Sequence, residues 1–293
     1  MNRAIVSLTT TAARAPIAQY TLLSLLRQDP PADVVRLNVS HEPYLQDEGL
    51  PEAPEWLAEP PFDRVEVHWV PNTGPYRKLL PAIVDADDDD LVVTTDDDVI
   101  YQPAWLRSLV ETAQEHPDKI VCGRAVRMTT NVFGRTTSYL YFCKVRGQGV
   151  VGHDLLPTGI SGVVYRRRLL DLDFLLSDRF LELAPTQDDI WFRVASLRRG
   201  VPVVVDKRAR KLTNNIATRS SLYDVNVHGD RQTRRRRPRA LRAVQHAYGL
   251  VAGYLGAPVV ANDHALRRVR GLADRLPQRA LPAEGTRRET LER

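Results

Sequence analysis

The chain has 293 residues, 43% of them hydrophobic and 26% charged, with a formal charge of +5. That length and apolar content suit one large α/β domain, or a domain of about 230 residues with an appendage, and the two cysteines, Cys122 and Cys143, allow one bridge at most and exclude a cysteine-based metal or redox motif. The longest mostly apolar run, Ala247 to Ala261, is broken by Gly249, Gly253, Gly256 and Pro258 and falls short of the roughly 20 residues that span a bilayer.

In chain order, Met1 leads straight into AIVSLTTT, a strand without the features of a signal peptide, so a cytoplasmic, reducing location is expected. Ala4 to Thr10 reads as a strand, Ile17 to Arg27 as a helix ended by Pro30 and Pro31, and Val34 to Ser40 as a second strand, together a βαβ unit. Pro43 to Pro61 reads as surface loop, with a helical turn at Glu55 to Ala58. Val65 to Val70 is a third strand, and Tyr76 to Asp85 reads as a helix with Arg77 and Lys78 in its first turn. Leu91 to Thr95 is a buried strand and Pro103 to Glu115 an amphipathic helix. Beyond Lys119 come shorter segments: IVCGRAV, a polar loop at Thr129 to Thr137, YLYFCKV, and the loop PTGISG, Pro157 to Gly162, before VVYR. Pro185 to Arg199 reads as a helix capped by Thr186 with Asp189 closing a capping box. Gly200 stops it before the strand VPVVV. Leu241 to Leu255 has an amphipathic pattern, and Pro282 to Arg293 reads as a tail.

Charge is distributed unevenly along this order. Asp87 to Asp98 is strongly acidic, while Arg231 to Arg242 is arginine-rich, which suggests a cation site and an anionic surface respectively. Asp87 to Asp90 precedes its strand and reads as a solvated approach. Asp96, Asp97 and Asp98 instead follow LVVTT, at the carboxyl end of a strand, where open α/β sheets bind ligands. Acids at i and i+2 on extended backbone share a side and can share a hard cation such as Mg²⁺ or Mn²⁺.

The SLTTT strand, the DDDV after a hydrophobic strand, the glycine loop before a strand and the DDIW helix, in that order, resemble a glycosyltransferase of the GT-A fold. The similarity is to the family 2 type found in bacterial surface-polysaccharide synthesis, and it covers roughly Ala4 to Val205. It implies a Rossmann-like, mostly parallel sheet flanked by helices, with residues 1–229 as the catalytic domain and 230–293 as a basic helical extension. The implied reaction is metal-dependent, inverting transfer of a sugar from a nucleoside-diphosphate donor, such as a UDP-sugar, to a saccharide or lipid-linked saccharide.

By the same resemblance, Asp96 and Asp98 match the outer acids of the family's DxD motif, Asp96 facing the ribose and Asp98 the metal, with Asp97 between them. Thr9, Thr10 and Arg14 match the region that lines the nucleotide. Lys78, and less so Arg77, would meet the diphosphate, the alternative being a solvated face. Asp188 and Asp189 stand where inverting members carry their general base; as residues alone they suit a helix N-terminus equally well. The loop holding Gly159 and Gly162 is similar to the acceptor-side glycine loop, where Tyr165 or Trp191 would stack on a sugar unless they are core residues. His228 would be a third metal ligand, as a C-terminal histidine is in some members.

Other readings remain open. A Mg²⁺-dependent nucleotidyl or phosphoryl transferase also wants clustered acids after a strand, but the chain lacks a GxxxxGK[ST] loop. A non-catalytic GT-A-like binding module is the third. The Arg231 to Arg242 stretch has no nucleic-acid motif and better suits a membrane-surface or partner-docking element, in the first case contact with an anionic membrane at the inner face of the plasma membrane.

Overall fold

The computed structural model describes residues 2–216 and 250–274. Its centre is a mixed sheet built from β1 (Ala4–Thr9), β2 (Val34–Val39), β3 (Glu66–Trp69), β4 (Leu91–Thr94), β6 (Ile120–Cys122), β9 (Val151–Gly152), β11 (Val163–Tyr165) and β12 (Val203–Val205), in the order β3-β2-β1-β4-β11-β6-β12-β9. β1 runs parallel to β2 and β4, and β2 to β3; β11 is antiparallel to both β4 and β6. Short sheets flank it: β5 (Val99–Tyr101) pairs with β13 (Thr213–Asn215), and β7 (Ala125–Arg127) lies between β8 (Cys143–Lys144) and β10 (Leu155–Pro157).

Strands of a parallel sheet are covered on both faces and so read as continuous apolar runs. All of β4, LVVT, is buried, as is β1 up to Thr9. Alternate residues feed two cores. Ile5 and Val92 join Tyr76, Ile83 and Ile190 on one side, packed by α2 (Leu80–Asp85) and α6 (Asp188–Leu197). Val6, Leu8 and Val93 meet Leu22 and Leu25 of α1 (Ala15–Leu25) and Trp105 and Leu109 of α3 (Trp105–Glu115) on the other. Further helices are α4 (Leu172–Leu175), α5 (Arg179–Leu183), α7 (Lys207–Lys211) and α8 (Ala261–Ala273). Ala265, Leu266 and Val269 of α8 belong to the first core.

Three local details differ from the sequence reading. Tyr76 to Asp85 is not one helix: a 3₁₀ turn, Gly74–Lys78, precedes α2, because Pro81 lacks an N–H and fits only the first turn of a new helix. The cap of α6 falls on Gln187 rather than Thr186, without a side-chain cap hydrogen bond. Asp90 is buried rather than solvated, because its carboxylate accepts from the backbone N of Arg3 at 2.9 Å and from Arg3 Nη2 at 2.7 Å. Both cysteines are free, Cys122 buried and Cys143 exposed.

Candidate active site

The antiparallel insertion of β11 assembles the site. Its register sets Val163 opposite Thr94, so the 3₁₀ turn Gly159–Ser161 leading into β11 crosses the carboxyl end of β4, where Asp96 lies. The turn Gly74–Lys78 approaches from one side, tied through the Tyr76 hydroxyl to the carbonyl of Ala184 just before α6. The first turn of α6 supplies Asp188 and Asp189.

These elements bring together groups that lie far apart in sequence. Lys78 Nζ is 3.2 Å from Asp96 Oδ1 and 2.8 Å from Asp188 Oδ2. The Gly159 N–H donates to Asp189 Oδ2 at 3.3 Å. A Cβ on Gly159 would stand 2.8 Å from Asp96 Oδ1 and 2.9 Å from Lys78 Nζ, so any larger residue here would displace the ends of these two side chains. Three carboxylates thus face one ammonium. Burial disfavours the Lys78 cation, but Asp188, Asp96 and Asp189 outweigh it and hold its pKa well above the ordinary value. The same crowding acts oppositely on Asp189. Burial first, then the charge of Asp188, push its carboxyl up to about 7, with Lys78 opposing.

The other two aspartates of the run form a separate cluster. Asp97 is buried and accepts from Thr10 Oγ1 at 2.6 Å and from Arg14 Nε at 3.0 Å, while its carbonyl accepts from Thr21 Oγ1 at 2.9 Å. Asp98 Oδ2 pairs with Arg14 Nη2 at 2.9 Å. Burial opposes the Arg14 cation, yet Asp97 and Asp98 raise its pKa on balance. Asp98 is itself raised, by burial foremost and by Asp96 and Asp97, against the pull of Arg14. Thr9 Oγ1 donates to the carbonyl of Asn38 at 2.8 Å.

Several expected roles meet a different geometry. β4 ends at Thr94 and residues 97–98 form a turn into β5, so the extended i, i+2 argument for Asp96 and Asp98 does not hold; each carboxylate instead has its own cationic partner. Arg77 and Lys78 are neither solvated nor uncomplemented. Arg77 is buried against Asp47, Nη2 to Oδ2 2.8 Å. Tyr165 and Trp191 do not line a cleft but are core residues: Trp191 stacks on Phe174 at 4.3 Å and donates from Nε1 to the carbonyl of Leu175, and Tyr165 packs edge-on to Phe192. Gly162, at φ +84°, serves packing rather than a sugar, since a Cβ there would lie 2.4 Å from Trp105 Cζ2. His228 and Arg231 to Arg242 lie outside the described residues.

Asp47 is a residue the sequence did not single out. It lies buried in the supposed surface loop and accepts from Ala12 N, Asn72 Nδ2 and Arg77, which fastens that loop to the mouth of β1. No local signal marks it, because its partners come from three distant segments.

As for a metal, Asp96 and Asp98 are all-oxygen donors suited to Mg²⁺ or Mn²⁺. Asp98 is raised foremost by burial, with the charges of Asp96 and Asp97 adding and Arg14 opposing; the all-oxygen chemistry of the two carboxylates is what fits a divalent cation. Among the described residues no group of three or more His, Cys, Asp or Glu side chains is placed to hold one.

The sequence model of glycosyl transferase family 2 matches residues 13–174. The chain belongs to glycosyl transferase family 2. The matched span contains the glycine loop and all three strand-end aspartates, and the mixed, mostly parallel sheet between helices is the GT-A-type α/β fold of a family 2 chain. No curated protein sequence matches significantly. Among solved structures, residues 1–349 of S. aureus TarS are 16% identical, with 70% of this chain and 58% of that chain covered at a TM-score of 0.43. A 4-diphosphocytidyl-2C-methyl-D-erythritol synthase is 16% identical, with 76% of this chain and 98% of that chain covered at a TM-score of 0.42. The chain therefore covers less than two thirds of the TarS fragment it resembles. No helix of the described residues is long and apolar enough to cross a membrane.

Proposed function

We propose that the chain is a divalent-metal-dependent, inverting glycosyltransferase that moves a sugar from a nucleoside-diphosphate donor to a hydroxyl of a saccharide or lipid-linked saccharide. The observation that carries this reading is Asp189: a carboxyl at the start of α6, raised to about 7 and held by the Gly159 N–H beside Asp96 and Lys78. A general base works best when its pKa lies near the operating pH. Asp189 takes the proton of the acceptor hydroxyl, the oxygen attacks the anomeric carbon, and the bond to the nucleoside diphosphate breaks with inversion. The proton ends on Asp189 and the electron pair on the departing phosphate.

Lys78 holds Asp188 and Asp96 in place and moderates the pKa of Asp189. Thr9 and Thr10 at the end of β1, with Arg14 at the start of α1, would meet the nucleotide, and the Gly159 loop the acceptor. Asp98 and Asp96, with His228 as a further candidate, would hold Mn²⁺ or Mg²⁺, which when bound stabilises charge on the leaving diphosphate. Residues 231–242, rich in arginine, would contact an anionic membrane surface at the inner face of the plasma membrane, consistent with a lipid-linked acceptor.

Calorimetry with UDP, with and without Mn²⁺, tests the donor half. Asp98→Ala should lose the Mn²⁺-dependent affinity, and unchanged affinity would remove Asp98 from the metal site. Asp189→Asn should bind donor normally and lose turnover. A panel of nucleotide sugars, screened for Mn²⁺-dependent hydrolysis or thermal stabilisation, identifies the donor.

A further inference from the structure

Seven of the fourteen exposed large apolar side chains among the described residues lie on two joined segments. Val132 and Phe133, 80% and 72% exposed, stand on the loop 129–137, and Leu140 follows. Leu250, Val251, Tyr254 and Leu255 are exposed on the helical residues 250–254 and at their end. The two segments are joined directly. Asn131 Nδ2 donates to the carbonyl of Tyr254 at 3.1 Å, Ser138 N to that of Gly253 at 2.9 Å, and Tyr141 Oη to that of Leu250 at 2.6 Å. A Cβ on Gly253 would lie 2.9 Å from Ser138 Cβ, so glycine lets the segments touch.

Asp263 of α8 anchors the platform from below, accepting from Ser138 Oγ at 2.7 Å and Tyr139 N at 2.6 Å. α8 is in turn fixed in the main core through Ala265 and Val269. The apolar tip is therefore mounted on a bonded base.

Its charge is one-sided. The protein has 36 Asp and Glu residues, yet none lies between Asp118 and Asp154 or between Asp230 and Asp263, the two stretches that supply the tip. Arg135, Lys144 and Arg146 are exposed in the first stretch, and Arg267 and Arg268 on α8. An apolar tip with tyrosines, on stretches whose exposed charges are basic, matches the interface of an anionic bilayer, which accepts apolar side chains without needing a complementary shape.

We propose that this surface docks the enzyme on an anionic phospholipid bilayer, inserting Val132, Phe133, Val251 and Leu255 below the headgroups while the surrounding arginines and lysines meet the phosphates. The docking rests on the arginine-rich contact proposed above for its electrostatic part and adds insertion of a defined tip.

Cosedimentation of the full chain with vesicles of phosphatidylcholine, with or without phosphatidylglycerol, tests it. Binding should require phosphatidylglycerol and persist in part at high salt. Phe133→Asp combined with Val251→Asp should weaken partitioning by about tenfold or more with an unchanged melting temperature, and Phe133→Trp should retain it. Wild-type binding by the double Asp variant would overturn insertion and leave the arginine contact standing. Glutamine at Arg234 to Arg237 probes that contact separately: unchanged binding there refutes the arginine contribution. Absence of vesicle binding, or a dimer in analytical ultracentrifugation that the double variant abolishes without any vesicle binding, would overturn docking altogether.

Discussion

Replacing Asp188 with Asn separates the two acids at the start of α6. In the native chain Asp189 is raised from 3.8 to about 7, burial being the largest cause and the Asp188 charge the next. The charge of Asp188 is therefore the second cause of that rise, after burial. Asp188→Asn removes this repulsion and frees Lys78, 2.8 Å away, to favour the remaining carboxylates. Both changes act in the same direction. The acidic limb of kcat/KM, which reports the free enzyme, should therefore move toward lower pH, by less than the whole rise from 3.8 to about 7 because burial remains, measured from roughly pH 5 to 9. Lys78→Met should move it upward, since Lys78 lowers the Asp189 value.

Stability gives a readout independent of substrate. The native carboxyl keeps its proton to about 7 while the unfolded one loses it near 3.8, so the native state binds more protons across that window. Its contribution to stability is complete below 3.8, declines as pH rises, and is flat above about 7. Asp189→Asn should abolish turnover while melting higher than wild type above about pH 7. A limb that stays in place in both Asp188→Asn and Lys78→Met, or near wild-type turnover in Asp189→Asn, would refute Asp189 as the base.

Gly159→Ala should lower kcat by about tenfold or more, as expected for displacement of positioned groups, because its Cβ would press on Asp96 and Lys78; steady-state kinetics and a melting curve distinguish this from unfolding. Asp47→Ala leaves the Arg77 guanidinium buried without its carboxylate and should cost about 3–5 kcal/mol in urea denaturation. Trp191→Ala should destabilise the chain by about 3–5 kcal/mol without a selective rise in acceptor KM; a KM effect at unchanged stability would return Trp191 to the acceptor site.

The fold was legible where a local pattern meets a single demand. AIVSLT, VVRLNV and LVVT are apolar because parallel strands are covered on both faces, and a strand that ends in three aspartates announces charge at a sheet edge. The glycine loop and the acids before IWF could be placed in order for the same reason. Composition alone could not tell a cleft aromatic from a core one, since burial is set by neighbours: Phe174 and Phe192 decide Trp191 and Tyr165.

Pairing is likewise a property of the assembled molecule. DDDV gives three equivalent acids in sequence, whereas in space Asp96 turns to Lys78, and Asp97 and Asp98 to Arg14. Lys78 next to Arg77 looked like an anion site until Asp47, Asp96 and Asp188, from three other segments, neutralised both. The sequence by itself determined the long apolar strands and the residue types at the sheet edge, because these follow from hydrophobic periodicity. Only tertiary structure decided which acid meets which base, because Coulomb and desolvation energies depend on distances and burial that a linear chain does not contain.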